Sequence, residues 1–193
     1  LDDGSSSTEI INVEAIYVNE GSHVDLSGLP DPKQHPDASQ REYYETMVST
    51  KSNLLASPYD DLVYFGFDPK NKIDLLESYE YDYSGAAHID GGEGRNVLKI
   101  DRNPPWGKFV VQYADQSGNI QLCSGMFGQC DIEANEGVTR QGSLYLVHPK
   151  FITDRGGSFR DRIIERQADL VMSFENIDEV QWVTSDGFED VHH

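Results

Sequence analysis

Residues 96–113 read NVLKIDRNPPWGKFVVQY, and this stretch decides the predicted fold. Its two ends, 96–102 and 108–113, are short runs rich in valine, isoleucine, leucine, phenylalanine and tyrosine, and the second alternates Phe109, Val111 and Tyr113 with other residues. Short runs rich in β-branched and aromatic residues are typical of strands. Asn103-Pro104-Pro105 between them indicates a turn, because proline cannot donate to a strand ladder. The stretch therefore predicts two strands joined by a turn.

The same pattern recurs along most of the chain. Further strands are predicted at 9–18, 23–26, 62–67, 73–83, 120–122, 143–148, 168–174 and 180–184. No repeat of fixed period and no regular alternation of strands with helices accompanies them. We therefore predict one all-β domain over 9–188, a β-sandwich or jelly roll, with a mobile arm at 1–8 and a tail at 189–193.

One or two short helices are expected beside the strands. Asp37 or Ser39 can cap a helix that ends before Ser57-Pro58, and the stripe formed by Tyr43, Tyr44, Met47 and Val48 follows helical spacing. A second short helix is predicted to begin at Ser158 and to give way to a strand after Gln167.

The composition is strongly acidic. The 193 residues include 34 Asp and Glu against 15 Lys and Arg, which gives a formal net charge of −19. Such a charge excludes binding to the phosphate backbone of nucleic acids as the main activity, and it disfavours docking on an anionic membrane surface. Because the acids are spread along the chain, the whole folded surface should be acidic. Concentrated salt would screen its self-repulsion, so we interpret the protein as adapted to high salt, with an ordinary acidic secreted or marine protein as the alternative.

The motifs of the common hydrolases, nucleotide-binding proteins and zinc proteases are missing, and no cofactor is expected. We interpret Gly91 to Gly94 as a flexible turn, although Asp90 and Glu93 offer calcium ligands without EF-hand spacing. His88 and Asp90 share one side of an extended segment and form a candidate base and orienter, or metal pair, without a visible third partner. Asp60 and Asp61 should point to opposite faces of a strand, which argues against paired acid–base work. No metal site is predicted.

Cys123 and Cys130 bracket six residues between two apolar segments. Such segments resemble the two strands of a hairpin, across which a disulfide has suitable geometry. We predict a disulfide here, with two free thiols as the alternative. Two cysteines alone would not complete a zinc site.

Two further groups are candidate binding residues. Four arginines lie close together, and their planar groups form bidentate pairs with carboxylates, which suits a contact with an acidic neighbouring subunit; solvated ion pairs within the chain are the alternative. A row of alternate tyrosines, together with a tryptophan, could stack sugars, although such a row is also typical of a half-buried sheet face. The interface candidates are Arg155, Arg160, Arg162 and Arg166, and the ligand-platform candidates are Tyr79, Tyr81, Tyr83 and Trp106.

In overall character, namely size, acidity and β-richness over most of the chain, the sequence is similar to the major capsid proteins of membrane-containing icosahedral viruses of haloarchaea. That resemblance implies a single vertical jelly roll and a coat subunit in a virion. It also implies packing against copies of itself or a sister coat protein, near an internal membrane that it does not enter. We therefore predict a structural assembly protein and not an enzyme. The alternatives are an extracellular carbohydrate-binding module and a secreted hydrolase.

Overall fold

The computed structural model describes residues 15–34, 42–68, 73–74, 85–101, 108–115, 117–124, 140–147 and 168–183. Within these ranges the chain is mostly strand and contains one 3-10 helix, Pro32–Gln34, and no α-helix. The all-β prediction is confirmed. The strands are β1 (Ile16–Val18), β2 (His23–Asp25), β3 (Tyr44–Val48), β4 (Asn53–Leu55), β5 (Asp61–Phe65), β6 (Phe67–Asp68), β7 (Ile73–Asp74), β8 (Ala87–Asp90), β9 (Asn96–Asp101), β10 (Lys108–Ala114), β11 (Ile120–Cys123), β12 (Gln141–Val147), β13 (Ala168–Glu175) and β14 (Glu179–Val183).

Two sheets face each other across one main core. The five-stranded sheet has the order β1-β3-β5-β9-β14, and the seven-stranded sheet has the order β11-β10-β12-β13-β8-β4-β2. Both sheets contribute to a single apolar cluster, for example through Val63 and Leu98 of the first and Ile89 and Met172 of the second. Burying such side chains contributes about 1.5–3 kcal/mol each, so this shared core is the main force that holds the sheets together.

The chain winds as a coil. It passes from one sheet to the other and back, so that β1, β3, β5, β9 and β14 alternate with β2, β4, β8 and β13. Every neighbouring pair in the five-stranded sheet is parallel, as are the pairs β2–β4, β4–β8 and β8–β13. This winding is that of a parallel β-solenoid.

Among the described strands, antiparallel pairs extend the coil on one side, and β6 and β7 form a separate antiparallel pair. Strands β12, β10 and β11 continue the seven-stranded sheet beyond β13 through antiparallel pairs. Two facing sheets, as in a sandwich, are therefore confirmed. The connections differ from the antiparallel connections of a jelly roll, because successive strands of one sheet run the same way.

Residues 44–48 form a strand, so the predicted helix in this region is wrong. Met47 and Val48 are both 0% exposed, although they point to opposite faces of the sheet. A strand that is buried on both faces has apolar residues at successive positions. Some of these residues then also fall at the spacing of a helical stripe. The pairing of β3 with β1 and β5 decides the outcome, because it satisfies the backbone from both sides.

The other strand predictions are confirmed where the residues are described, with bounds that shift by a few residues; of the predicted strands 9–18 and 73–83 only β1 and β7 fall within the described residues. The predicted helix at 158–167, the N-terminal arm and the C-terminal tail lie outside those residues. Within the part of the chain that the structure describes, no helix is long and apolar enough to cross a membrane.

Candidate functional site

Three short turns, 56–60, 91–95 and 176–178, lead from the seven-stranded sheet back to the five-stranded sheet. We call this stack of turns the return corner. Its strand starts are in register: Asp61 lies beside Asn96, and Val97 lies beside Glu179. The turns therefore repeat at the spacing of paired strands, about 4.8 Å, which leaves little room between them.

Side chains at the return corner continue the ladder beyond the strands. The backbone N–H of Asp61 donates to Asn96 Oδ1 at 3.2 Å, and the N–H of Asn96 donates to Asp178 Oδ2 at 2.9 Å. The Asn96 amide nitrogen donates to the carbonyls of Glu93 and Asn176 at 3.1 and 3.0 Å. Asn96 is 0% exposed, so this buried amide is satisfied by bonds to three neighbouring backbone groups.

Glycines let the turns approach closely. A Cβ on Gly91 would lie 2.3 Å from the carbonyl oxygen of Asn176, and one on Gly92 would lie 2.7 Å from that of Ser57. A Cβ on Gly94 would lie 2.4 Å from the carbonyl group of Tyr59, and Gly94 also has a φ of +83°. The predicted turn is confirmed, and its glycines serve close packing of backbones.

Asp61 is a buried carboxylate in this corner. It is 2% exposed, and its Oδ2 accepts hydrogen bonds from the N–H and hydroxyl of Ser57 at 3.1 and 2.7 Å. Its Oδ1 is buried and has no hydrogen-bond partner within the described ranges. Burial raises the pKa of Asp61 to about 7, against a usual value of 3.8, despite the two bonds from Ser57. The neighbouring Asp60 accepts from the N–H of Arg95 at the partly exposed side of the corner.

The predicted His88–Asp90 pair is not brought together. Asp90 Oδ1 accepts from the N–H of Gly92 at 2.9 Å and from the amide of Asn176 at 2.7 Å, so this carboxylate closes the turn. His88 instead lies beside Ser173 and Glu175 of the next strand. Among the residues with described positions, no group of three or more His, Cys, Asp or Glu side chains is arranged to hold a metal ion.

A polar row crosses the outer face of the seven-stranded sheet. Strand register aligns it from β10 to β2, so its side chains share the face that points away from the main core. The row consists of Gln112, Ser143, Ser173, His88, Asn53 and His23. Gln141 and Glu175 stand side by side in the adjoining row. We call the two rows together the polar face.

The polar face holds a shallow depression of about 420 Å³. Its polar lining comprises His88, Gln112, Gln141, Ser143, Ser173 and Glu175. His88 is fixed between two of these groups: its Nδ1 lies 2.9 Å from Ser173 Oγ, and its Nε2 lies 3.3 Å from Glu175 Oε1. This arrangement supplies several hydrogen-bonding groups that rigid strands hold in place.

A second depression of about 290 Å³ lies on the five-stranded sheet. Its lining includes Arg95 and Lys99, but both cations have partners in the protein. Arg95 donates to Glu179 Oε2 at 2.7 Å, and Lys99 Nζ lies 5.4 Å from the centre of the Tyr64 ring. Burial lowers the pKa of Lys99, against the pull of Glu45 and Glu179. These contacts leave less capacity for a ligand here than on the polar face.

Most of the predicted binding residues lie outside the described residues. They are Tyr79, Tyr81, Tyr83, Trp106, Arg155, Arg160, Arg162, Arg166 and Cys130. Cys123 ends β11 and is disulfide-bonded. Because Cys130 is not described, the hairpin around this disulfide stays a prediction.

No family model, no curated protein and no solved structure matches the chain. The sequence does contain one signal of the coil that a search for repeats can miss. Residues 91–99, GGEGRNVLK, follow the nonapeptide pattern of parallel β-helices, Gly-Gly-x-Gly-x-Asp-x-apolar-x, with Asn96 in place of the aspartate. A single copy shows no period, which is why the coil is hard to recognise from it.

Proposed function

We propose that this chain is a structural module that builds larger assemblies by stacking coils, and not an enzyme. The carrying observation is the all-parallel five-stranded sheet, in which each coil offers the next one the same ladder edge. Strands β1 and β14 stand at opposite ends of this sheet. A second copy can extend the ladder in the same direction, in a head-to-tail contact.

The setting we propose is a virion coat in concentrated salt, where the subunit packs against copies of itself or a sister coat protein. The net charge of −19 supports the salt requirement, because copies of so acidic a protein repel each other at low ionic strength. The Debye length falls from about 30 Å at 0.01 M to about 3 Å at 1 M, so salt removes most of this barrier. A secreted assembly is the alternative setting, and the parallel coil suits it equally, since the coat resemblance implied a jelly roll.

Light scattering after size exclusion, in 0.05 M and 2 M KCl, tests the proposal. We expect mass above that of one chain in 2 M KCl and a shift towards monomer on dilution of the salt. Thermal melting in the same buffers separates assembly from folding, and we expect the melting temperature to rise with salt. A monomer at every salt concentration would refute the proposal.

A matched pair of variants tests which edge is used. Tyr17 in β1 and Tyr43 before β3 are both 43% exposed, but only Tyr17 lies in a terminal strand of the sheet. Lysine on an edge strand opposes edge-to-edge pairing. Tyr17→Lys should therefore lower the assembled fraction while Tyr43→Lys leaves it unchanged. Equal effects of the two substitutions would argue against stacking through β1.

A further inference from the structure

We propose that the depression on the polar face binds a neutral oligosaccharide. The proposal does not use the tyrosine and tryptophan residues predicted to stack sugars, which lie outside the described residues, and it does not depend on assembly. The juxtaposition that carries it is His88 held between Ser173 and Glu175, with Gln112, Gln141 and Ser143 around the same depression.

The site is preorganised. Ser173 and Glu175 are two residues apart on β13 and share one face, and His88 is paired in register with Ser173 across the parallel β8–β13 ladder. About half of the Glu175 side chain is exposed, 50%, so a ligand can reach its carboxylate. Both ring nitrogens of His88 already face Ser173 and Glu175, so the imidazole holds these two groups in place. Side chains fixed on rigid strands lose little entropy when a ligand binds.

Most of the depression lies over strands whose backbone groups are already paired. Its polar residues stand on β8, β13, β12 and β10, each of which has paired neighbours on both sides, while Ile120 stands on β11 at the end of the sheet. Because the backbone groups are already used in the ladders, a ligand must be recognised by side chains that project from the sheet.

The chemistry of the lining favours an uncharged, hydroxyl-rich ligand. None of the described lining residues is Lys or Arg, and the protein as a whole repels anions. Amides and hydroxyls both donate and accept hydrogen bonds, while the carboxylate accepts them, and sugar hydroxyls complement both roles. Ile120, which is 55% exposed at the same depression, offers an apolar contact for a sugar ring.

Binding is tested on the full chain in 2 M KCl. Uncharged tetrasaccharides built from glucose, mannose or galactose are titrated by saturation-transfer NMR and calorimetry, with a galacturonate tetramer as the anionic comparator. We expect at least one neutral tetrasaccharide to bind with a Kd of about 0.1–1 mM, a range typical of a few hydrogen bonds. The galacturonate should bind more weakly.

Three variants locate the site. Glu175→Gln and Ser173→Ala should each weaken binding roughly 3- to 10-fold, as expected for one lost or altered hydrogen bond. Asn53→Ala is the matched control, because Asn53 lies in the same polar row but outside the depression. Melting curves establish that all three variants fold.

Absence of binding by every neutral tetrasaccharide at about 10 mM would overturn the proposal. Unchanged affinity in both site variants, or equal loss in Asn53→Ala, would show that a different surface binds. Tighter binding of the galacturonate tetramer would overturn the assignment of a neutral ligand.

Discussion

The two corners of the coil are built on different principles. At the return corner, buried side chains and glycines lock successive turns together, as Asn96 and Gly94 show. The opposite corner, formed by turns 19–22 and 49–52, we call the forward corner. It uses backbone bonds such as Ser49 N–H to the Val18 carbonyl at 2.9 Å and one buried side-chain bond within the turn, from the Ser52 hydroxyl to the Ser49 carbonyl at 2.7 Å, and a Cβ on Gly21 would meet nothing within 4 Å.

The lengths of the connections between strands indicate where the coil tolerates insertions. At the forward corner the connections from β5 to β8 and from β9 to β13 are long, 66–86 and 102–167, and include β6, β7 and β10 to β12. At the return corner three connections are the short stacked turns, whereas the connection from β2 to β3 covers residues 26–43. The stacked turns fix the spacing of the coils, while the long connections at both corners show where the fold accepts insertions.

The largest effect is expected from Gly94→Ala. The new Cβ would meet backbone atoms of Tyr59 and Asp60 at 2.4 and 2.8 Å, and alanine is strained at a φ of +83°. We expect a loss of about 3–5 kcal/mol in the free energy of unfolding, from strain and overpacking together. Urea denaturation in 2 M KCl measures it.

The control is Gly118→Ala, in the β10–β11 hairpin. Gly118 has a similar φ of +79°, but a Cβ there would meet nothing within 4 Å. Only the backbone strain should remain, about 1–2 kcal/mol. Equal losses for the two variants would contradict the close packing of the return corner.

The sequence predicts the local structure of the coil better than its winding. The strands at 96–101, 108–114 and 168–175 follow from apolar and β-branched runs. Parallel pairing does not follow, because a strand has the same side-chain alternation whether its neighbour is parallel or antiparallel. The error at 44–48 has a related cause, since only the neighbours β1 and β5 distinguish a doubly buried strand from a helix.

The polar face could be predicted only in part. The sequence identifies His88 as a candidate base or metal ligand beside Asp90, but the partners that it contacts are far away in sequence. Ser173 is separated from it by 85 residues, and the pairing of β8 with β13 alone brings the two together. Residue types therefore identify a candidate, while the winding of the coil determines what it contacts.

The second prediction concerns Asp61→Asn. Because burial raises the folded-state pKa of Asp61 to about 7 from 3.8, the folded protein holds a proton that the unfolded chain releases. The contribution of Asp61 to stability is therefore complete below pH 3.8 and is lost as the pH rises to about 7. Asparagine occupies the same position in the next coil, at Asn96. The change that Asp61→Asn makes to the free energy of unfolding should be more favourable at pH 8 than at pH 4 by roughly 2–4 kcal/mol.

Asp25→Asn provides the contrast of opposite sign. Hydrogen bonds from the side chain and N–H of Ser27 lower the pKa of Asp25, so its contribution is present above pH 3.8 and is lost as the pH falls. Urea denaturation of both variants between pH 3 and pH 8 gives the two slopes. A pH profile of Asp61→Asn that parallels that of the unaltered protein would show that Asp61 ionises normally in the fold.

The smallest effect is expected at the forward corner, at Lys51. This residue has a φ of +56° and occupies the position that Gly21 occupies one coil earlier, where φ is +71°. Glycine adopts this conformation freely, whereas a side chain is strained there.

Lys51→Ala and Lys51→Gly both remove the 3.5 Å ion pair with Glu20, which contributes little because it is partly exposed. The glycine variant should therefore be more stable than the alanine variant by about 0.5–1 kcal/mol. This order reverses the usual one, because the relief of backbone strain exceeds the cost of the added chain entropy in the unfolded state. Urea midpoints of the two variants measure the difference, and a more stable alanine variant would mean that the forward corner, too, holds its backbone against strain by packing.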